Sequence, residues 1–328
     1  MGATRVLSEA EVVRLLPMSL ALEAVEAVFR WQAVGQTVNR PRVRLRAPAG
    51  ILQVMPAVAP ELAAMGLKTY TVMRGGRAQF VVLLFDSETG ALQAIVEADR
   101  LGQIRTGAAS GVATKYLART DAEVVGCYGT GYQAETQLEA VCAVRKIRRI
   151  QVYGRDPERR RRFAALMAER LNVEVVSVER PELAARDALI LITITNSKTP
   201  VLHGAWVQPG AHINAAGSNA LERVEVDAEV VRRASLIVVD AIEQARIECG
   251  DLVEPVRVGM TNWDQVRELG EIVAGQVPGR PSAEAVTLFE SQGVAMEDVA
   301  VAARVLQGAQ AEGIGRVIEI GPRPSSGY

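Results

Sequence analysis

The chain has 328 residues, 49% of them apolar, and a formal net charge of -1, which allows two domains of ordinary size, each with a substantial core. The balanced charge argues against a nucleic-acid partner, which needs a basic excess, and no apolar run reaches the roughly 18 residues of a membrane-spanning helix. Met1 to Arg5 lack a signal peptide's apolar stretch, and Val6 stands where myristoylation prefers a hydroxyl. Cys127, Cys142 and Cys249 are odd in number, widely separated and without metal-ligand spacing. They read as reduced thiols in a cytoplasmic protein with no metal centre.

In chain order, residues 7–34 read as helical, with Ser8 as a cap and Val12, Val13 and Leu16 on one face. Residues 42–54 and 67–96 change to alternation, punctuated by Pro48-Ala49-Gly50, Gly75-Gly76 and Thr89-Gly90. The first ~95 residues thus predict helices followed by an antiparallel or mixed sheet. From Asp121 the pattern changes again. Val124 to Tyr128 form an apolar strand that runs into Gly129-Thr130-Gly131-Tyr132-Gln133-Ala134 and then an amphipathic helix. Another strand, Ile150 to Tyr153, precedes a helix that Asp156 caps, with Pro157 at its first position. Further strands are expected at 173–178, 189–195, 212–216 and 236–240. Alternating strands and helices over about 120 residues predict a Rossmann-type, doubly wound parallel α/β sheet.

The Gly-x-Gly-x-x-Ala turn sits where chemistry is expected. A chain leaving a strand at Gly129 must reverse tightly, and Gly131 lets backbone approach a pyrophosphate at the helix N-terminus. Its place between strand and helix makes it a dinucleotide-binding signal rather than a plain turn. After the second strand, a carboxylate would hold a ribose 2′-hydroxyl, whereas an arginine suits a 2′-phosphate. The sequence there is Tyr153-Gly154-Arg155-Asp156, with Asp156 used as a cap, so NADP(H) is favoured over NAD(H). The run Arg159 to Arg162 reads as a solvated helix face.

Only four of the 37 basic residues are lysines, and one of them, Lys68, lies in the apolar stretch Ala63 to Tyr70. Lysine in such a place loses charge and exchanges a proton, which arginine does not; a strand lysine with its head in water is the alternative. Arg42 and Arg105 carry the planar fork that grips a carboxylate. His203 and His212 have neither metal nor relay spacing and read as structural.

These segments resemble the ornithine cyclodeaminase/mu-crystallin family, which also includes archaeal alanine dehydrogenases and ketimine or pyrroline-carboxylate reductases. The resemblance spans nearly the whole chain. It rests on Leu7-Ser8-Glu9, Pro41-Arg42-Val43, Met55-Pro56, Gly66-Leu67-Lys68, Ile104-Arg105-Thr106, Gly129 to Ala134, Asn214 to Asn219 and Ser291 to Asp298. It implies a discontinuous α+β substrate-binding and dimerisation domain over 1–119, joined by a C-terminal segment 300–328, and a dinucleotide-binding domain over 120–299. In the family's pattern Arg42, Lys68 and Arg105 hold the substrate carboxylate. Thr106, the glycine turn with Tyr132 and Gln133, Thr195-Asn196 and Ser291 to Gly293 line the cofactor.

Two departures are informative. Asn219 replaces an aspartate acid/base, and Gln53 replaces a glutamate that receives the distal amine in cyclodeaminases. An amide orients a substrate but does not exchange a proton at neutral pH. Both favour reduction of a preformed C=N bond in a small imino acid, or the reverse oxidation of an amino acid, with Lys68 as proton donor. Ornithine cyclodeamination and non-catalytic ligand binding, as in mu-crystallin, are the competing readings. A homodimer is expected because strands 42–54 and 67–86 have too few partners to close their edges.

Overall fold

The computed structural model describes residues 3–320. These divide into two compact units, residues 3–105 with 294–320, and residues 106–293; the divisions drawn from the sequence lie downstream, at 119 and 299. The first unit begins with β1 (Ala3–Leu7), α1 (Glu9–Leu15) and α2 (Met18–Ala33). Ser8 caps α1 through a reciprocal capping box with Glu11, and Pro17 separates the two helices because it cannot donate within the first. The sequence missed β1, a five-residue strand that ends just before the cap. A strand series follows: β2 (Val38–Asn39), β3 (Val43–Ala47), β4 (Gly50–Ala59), β5 (Ala64–Met73), β6 (Ala78–Asp86) and β7 (Leu92–Glu97). The chain then enters α3 (Asp99–Leu117), which runs through the division between the units.

The second unit alternates strands and helices: β8 (Val124–Tyr128), α4 (Tyr132–Val144), β9 (Arg149–Tyr153), α5 (Pro157–Leu171), β10 (Glu174–Ser177), α6 (Pro181–Ala184), β11 (Ile190–Thr193), β12 (His212–Ala215), α7 (Ala228–Arg233), β13 (Ala234–Val239), α8 (Ile242–Glu248), α9 (Gly250–Arg257), β14 (Val266–Glu268), α10 (Leu269–Val273) and β15 (Val286–Glu290). The strands pair in parallel in the order β10-β9-β8-β11-β12-β15-β13-β14. The order reverses between β8 and β11, the switch point where such sheets bind ligands beyond their strand ends. Successive residues of β11 feed two separate apolar clusters, Leu191 one and Ile190 with Ile192 the other. A strand covered on both faces reads as a continuous apolar run, which is how the sequence reads there.

The chain then returns to the first unit as α11 (Ala295–Glu312) and β16 (Arg316–Glu319). The sheet there runs β16-β1-β7-β6-β5-β4-β2, with β3 also on β4. This corrects the expectation of open edges at 50–54 and 67–86, while β3, paired with β4 alone among the described residues, stays at an edge. β4 lies between β5 and the short strands β2 and β3, and β5 lies between β4 and β6, because short connections at 48–49, 60–63 and 74–77 fold β4, β5 and β6 each onto the strand before it. No helix among the described residues is long and apolar enough to cross a membrane. His212 is buried between Thr287 and Asn214, and burial pushes it down to about 3, while His203 packs on Asp227. Both are structural.

Candidate active site

In the first unit, the register Met55↔Lys68↔Val82 places Lys68 on the sheet face that α11 covers. Its side chain is 3% exposed, and Nζ donates to Asp298 Oδ1 at 2.9 Å. The Tyr70 and Phe80 rings lie 5.8 and 5.6 Å from the same nitrogen. Room for the ammonium comes from Gly102, where a Cβ would stand 2.5 Å from Nζ. One turn on, buried Arg105 donates from Nε to Asp298 Oδ1 at 3.0 Å and from Nη1 to Glu297 Oε2 at 2.8 Å. Glu297 and Asp298 occupy the first turn of α11, where the helix dipole favours negative charge. Arg42 is buried just before β3 with Nε 3.3 Å from Met55 Sδ. On the strand beside Lys68, Gln53 Oε1 accepts from the Tyr70 hydroxyl at 2.9 Å.

Lys68, Arg105, Arg42 and Gln53 are therefore buried on one sheet face and the elements over it. Burial lowers the Lys68 ammonium to about 8; Asp298 opposes this, and the positive field of Arg105 and Arg42 adds to it. Burial disfavours the Arg105 charge, yet Asp298 and Glu297 outweigh it and raise its pKa. Both acids lie within the C-terminal motif Ser291 to Asp298, where nothing in the sequence singles them out. Their partners lie about 190 to 230 positions away in sequence, beyond the reach of any spacing argument.

In the second unit, Gly129 has φ +124° and its Cβ would lie 2.4 Å from the Ile194 carbonyl, so a side chain is excluded by both backbone and packing. Gly131 differs: a Cβ there would meet nothing nearer than the Arg159 guanidinium at 3.7 Å. Gly131 is also the N-cap of α4 and provides no side-chain cap. The fold leaves open space beside the start of a 13-residue helix, a fit for a dinucleotide pyrophosphate. Tyr132 is exposed and Gln133 half-buried at that start, while the Thr106 carbonyl accepts from Gln137 at 3.1 Å.

At the end of β9, a Cβ on Gly154 would lie 2.8 Å from Thr130 Oγ1, so glycine is what lets the turn pack there. Arg155 is exposed, and Asp156 Oδ1 accepts from the Glu158 and Arg159 amides as the cap of α5. The arginine run needs correction. Arg160 is 5% exposed, donating to Ser177 and the Gly154 carbonyl and lying over the Tyr153 ring. Arg159 reaches back to the Thr130 carbonyl at 3.1 Å. Arg159, Arg161 and Arg162 are exposed and fit the solvated face; Arg160 alone departs from it. Helical spacing could have revealed this, since Arg160 shares its face with buried Phe163, Ala164 and Met167.

Thr195 and Asn196 follow β11, Gly217 to Asn219 follow β12, and Ser291 to Gly293 follow β15. All three stretches lie at carboxyl ends of adjacent strands, on the same edge as the glycine turn.

Comparison with known proteins matches residues 3–313 to the model of the ornithine cyclodeaminase/mu-crystallin family. The chain is 37% identical over 273 residues to a Δ1-pyrroline-2-carboxylate reductase of Bacillus cereus, covering 81% of this chain and 84% of that protein. Among solved structures, the Δ1-pyrroline-2-carboxylate reductase of Thermococcus litoralis, in complex with NADH and L-proline, superimposes with a TM-score of 0.91. That pair is 36% identical and covers 95% of this chain and 99% of the other. An archaeal alanine dehydrogenase dimer with bound NAD gives a TM-score of 0.91 at 35% identity, covering 97% and 100%. Sequence and fold thus agree: this chain belongs to the ornithine cyclodeaminase/mu-crystallin family.

Proposed function

We propose that this chain is a nicotinamide-dependent oxidoreductase acting on the C–N bond of small α-imino and α-amino acids, and that imine reduction is its characteristic reaction. The observation that carries this reading is the buried Lys68–Asp298–Arg105 cluster, in which a lysine with a lowered pKa lies in a cationic field. Such a field suits a substrate carboxylate, and a lysine near pH 8 suits proton donation. Arg42 and Arg105 bind the carboxylate, Gln53 orients the substrate, and Lys68 delivers a proton to the nitrogen as the bond is reduced. The bound nicotinamide supplies the hydride. Asn219 hydrogen-bonds without exchanging a proton, and Gln53 is held by Tyr70, so neither replaces the carboxylates that cyclodeamination needs. NADPH oxidation with α-imino acids tests the reading directly. The buried, unpaired thiols Cys127 and Cys249 suit a reducing cytoplasm.

The second unit binds the dinucleotide at the glycine turn, lined by Thr106, Tyr132, Gln133, Thr195, Asn196, Ser291 and Gly293, and NADP(H) is favoured over NAD(H). Gly154 offers no carboxylate, Asp156 is engaged as a cap, and the exposed Arg155 and Arg159 near the end of β9 suit an adenosine 2′-phosphate. A charge-assisted contact contributes roughly 1.5–3 kcal/mol, so NADPH is expected to bind about tenfold to a hundredfold more tightly than NADH. Fluorescence titration of both cofactors checks this, and Arg155→Ala should remove most of the difference. Equal affinities in the wild type would reject it.

The protein assembles as a homodimer through the first unit's sheet. The face opposite Lys68 carries Val43 and Leu45, 51% and 54% exposed, with half-buried Val54, Leu67, Val81 and Leu83 beside them in register. Apolar surface of this extent marks an interface, and the similar archaeal alanine dehydrogenase is a dimer. Sedimentation should give twice the 35.3 kDa of one chain, and Leu45→Asp should shift the equilibrium toward monomer. A wild-type monomer at micromolar concentration would contradict it.

A further inference from the structure

Three buried carboxylates of the second unit lie behind its strand ends. Glu225 is wholly buried. Its Oε1 accepts from the Thr195 amide at 2.6 Å and the Thr195 hydroxyl at 2.7 Å; its Oε2 accepts from the Gly217 amide at 2.7 Å and the Thr193 hydroxyl at 3.2 Å. One side chain therefore ties the segment after β11 to the segment after β12. The two approach so closely that a Cβ on Gly217 would lie 2.2 Å from the Thr195 nitrogen. Asp251 Oδ1 fixes Glu225 in turn, accepting from the amides of Glu225 and Val226 at 2.6 and 2.8 Å. Asp240, directly after β13 and wholly buried, does the same for the third segment. Its Oδ2 accepts from the Gln292 and Gly293 amides at 2.8 and 2.6 Å.

Buried carboxylates are costly unless their oxygens are satisfied. Here the compensation comes from loop amides and hydroxyls. Burial pushes Glu225 up to about 7, with Asp251 adding to it, and pushes Asp240 up to about 6; the loop amides pull both back. A carboxylate is the group that accepts from backbone amides through both oxygens at once; an amide side chain presents a donor on one side.

We propose that Glu225 and Asp240 are positioning residues for the nicotinamide half of the cofactor site. The inference rests on the proposed cofactor site and deepens it. A dinucleotide lies across the switch point, one nucleotide on each half of the sheet. The glycine turn and the end of β9 serve the adenosine half, whereas the three tied segments follow β11, β12 and β15 on the other half. The hydrogen bonds of Glu225 reach the segments after β11 and β12, and those of Asp240 reach the segment after β15. Loosening them should therefore cost nicotinamide binding and leave adenosine binding intact.

The test compares NADPH with 2′-phospho-ADP-ribose, which lacks the nicotinamide, by equilibrium titration of the full chain. Glu225→Gln sets an amide N–H against the Thr195 or Gly217 amide, and Asp240→Asn does so against Gln292 and Gly293 or Ala241. Each is expected to weaken NADPH about tenfold, the order of a lost hydrogen bond to a charged group, while the fragment stays within about twofold. Thr193→Val removes one hydroxyl donor to Glu225 without disturbing the carboxylate. It should reproduce the same split at smaller size if either isosteric variant fails to fold. Unchanged NADPH binding in the folded variants, or fragment binding that falls in step with NADPH, overturns the inference while the cofactor reading stands. A wild-type protein that binds neither NADPH nor NADH overturns both.

Discussion

Lys68→Ala is expected to lower kcat for imine reduction by about 10²–10⁴, the usual contribution of a positioned general acid. Lys68 is the buried residue whose ammonium is tuned close to neutral pH, lowered to about 8 by burial and by Arg105 and Arg42 against the pull of Asp298. The proton is donated by the charged form. In the free enzyme kcat/KM should accordingly fall as pH rises above about 8, since the ammonium is lost there. A bound substrate carboxylate adds negative charge to the cluster and raises the Lys68 pKa, so the matching limb of kcat should lie at higher pH. Arg42→Ala should behave differently and raise KM strongly, because an anchored carboxylate is present in ground and transition states alike. Arg105→Ala is the less clean probe, since it also takes a cationic partner from Glu297 and Asp298. A Lys68→Ala enzyme with normal kcat on its best imine would remove Lys68 from the chemistry.

Asp298→Ala should be the most destabilising single change in the cluster, by about 3–5 kcal/mol, the cost of removing one partner from a buried ion pair. Asp298 Oδ1 serves Lys68 and Arg105 together, and its side chain is 0% exposed. Without it Arg105 keeps Glu297, whereas Lys68 keeps only cationic neighbours among the groups that shift it. Lys68 responds by giving up its proton at lower pH. Its folded pKa, about 8, already lies below the ordinary 10.5, so keeping it charged costs stability at neutral pH, and that cost fades as pH rises toward 10.5. The variant depresses the folded value further. The stability gap between wild type and variant should thus narrow from pH 7 toward pH 10, as Lys68 becomes neutral in both. Urea denaturation across that range measures it. An unchanged midpoint at pH 7 would show that Asp298 does not hold the cluster.

What the sequence disclosed follows from the range of the forces involved. The Ser8 cap, Asp156 with Pro157, and Gly129 in its left-handed turn are local arrangements settled within a few residues, and each was legible. β1 and β16 were not, because their four or five residues join a sheet edge through partners some 300 positions apart. Lys68, Arg42 and Arg105 stood out by residue type and family resemblance. Glu297 and Asp298, the carboxylate partners of Lys68 and Arg105, did not, since an acid at the start of a helix reads as dipole compensation. Arg160 was hidden by composition, lying in a charge run whose helical period buries one member in four. Glu225 and Asp240 carry no motif at all; only the folded sheet shows that each faces the amides of distant loops.

The central claim is that this site reduces a preformed C=N bond instead of eliminating ammonia from an amino acid. Steady-state NADPH oxidation by the purified protein, measured against cyclic and linear α-imino acids including Δ1-pyrroline-2-carboxylate, with ornithine and NAD assayed in parallel for proline and ammonia, tests that claim most directly. The account predicts turnover with one or more imino acids and little or no ammonia from ornithine, because Asn219 and Gln53 cannot shuttle the protons that elimination requires. Efficient conversion of ornithine to proline, or NADPH binding without oxidation by any α-imino acid, would contradict it.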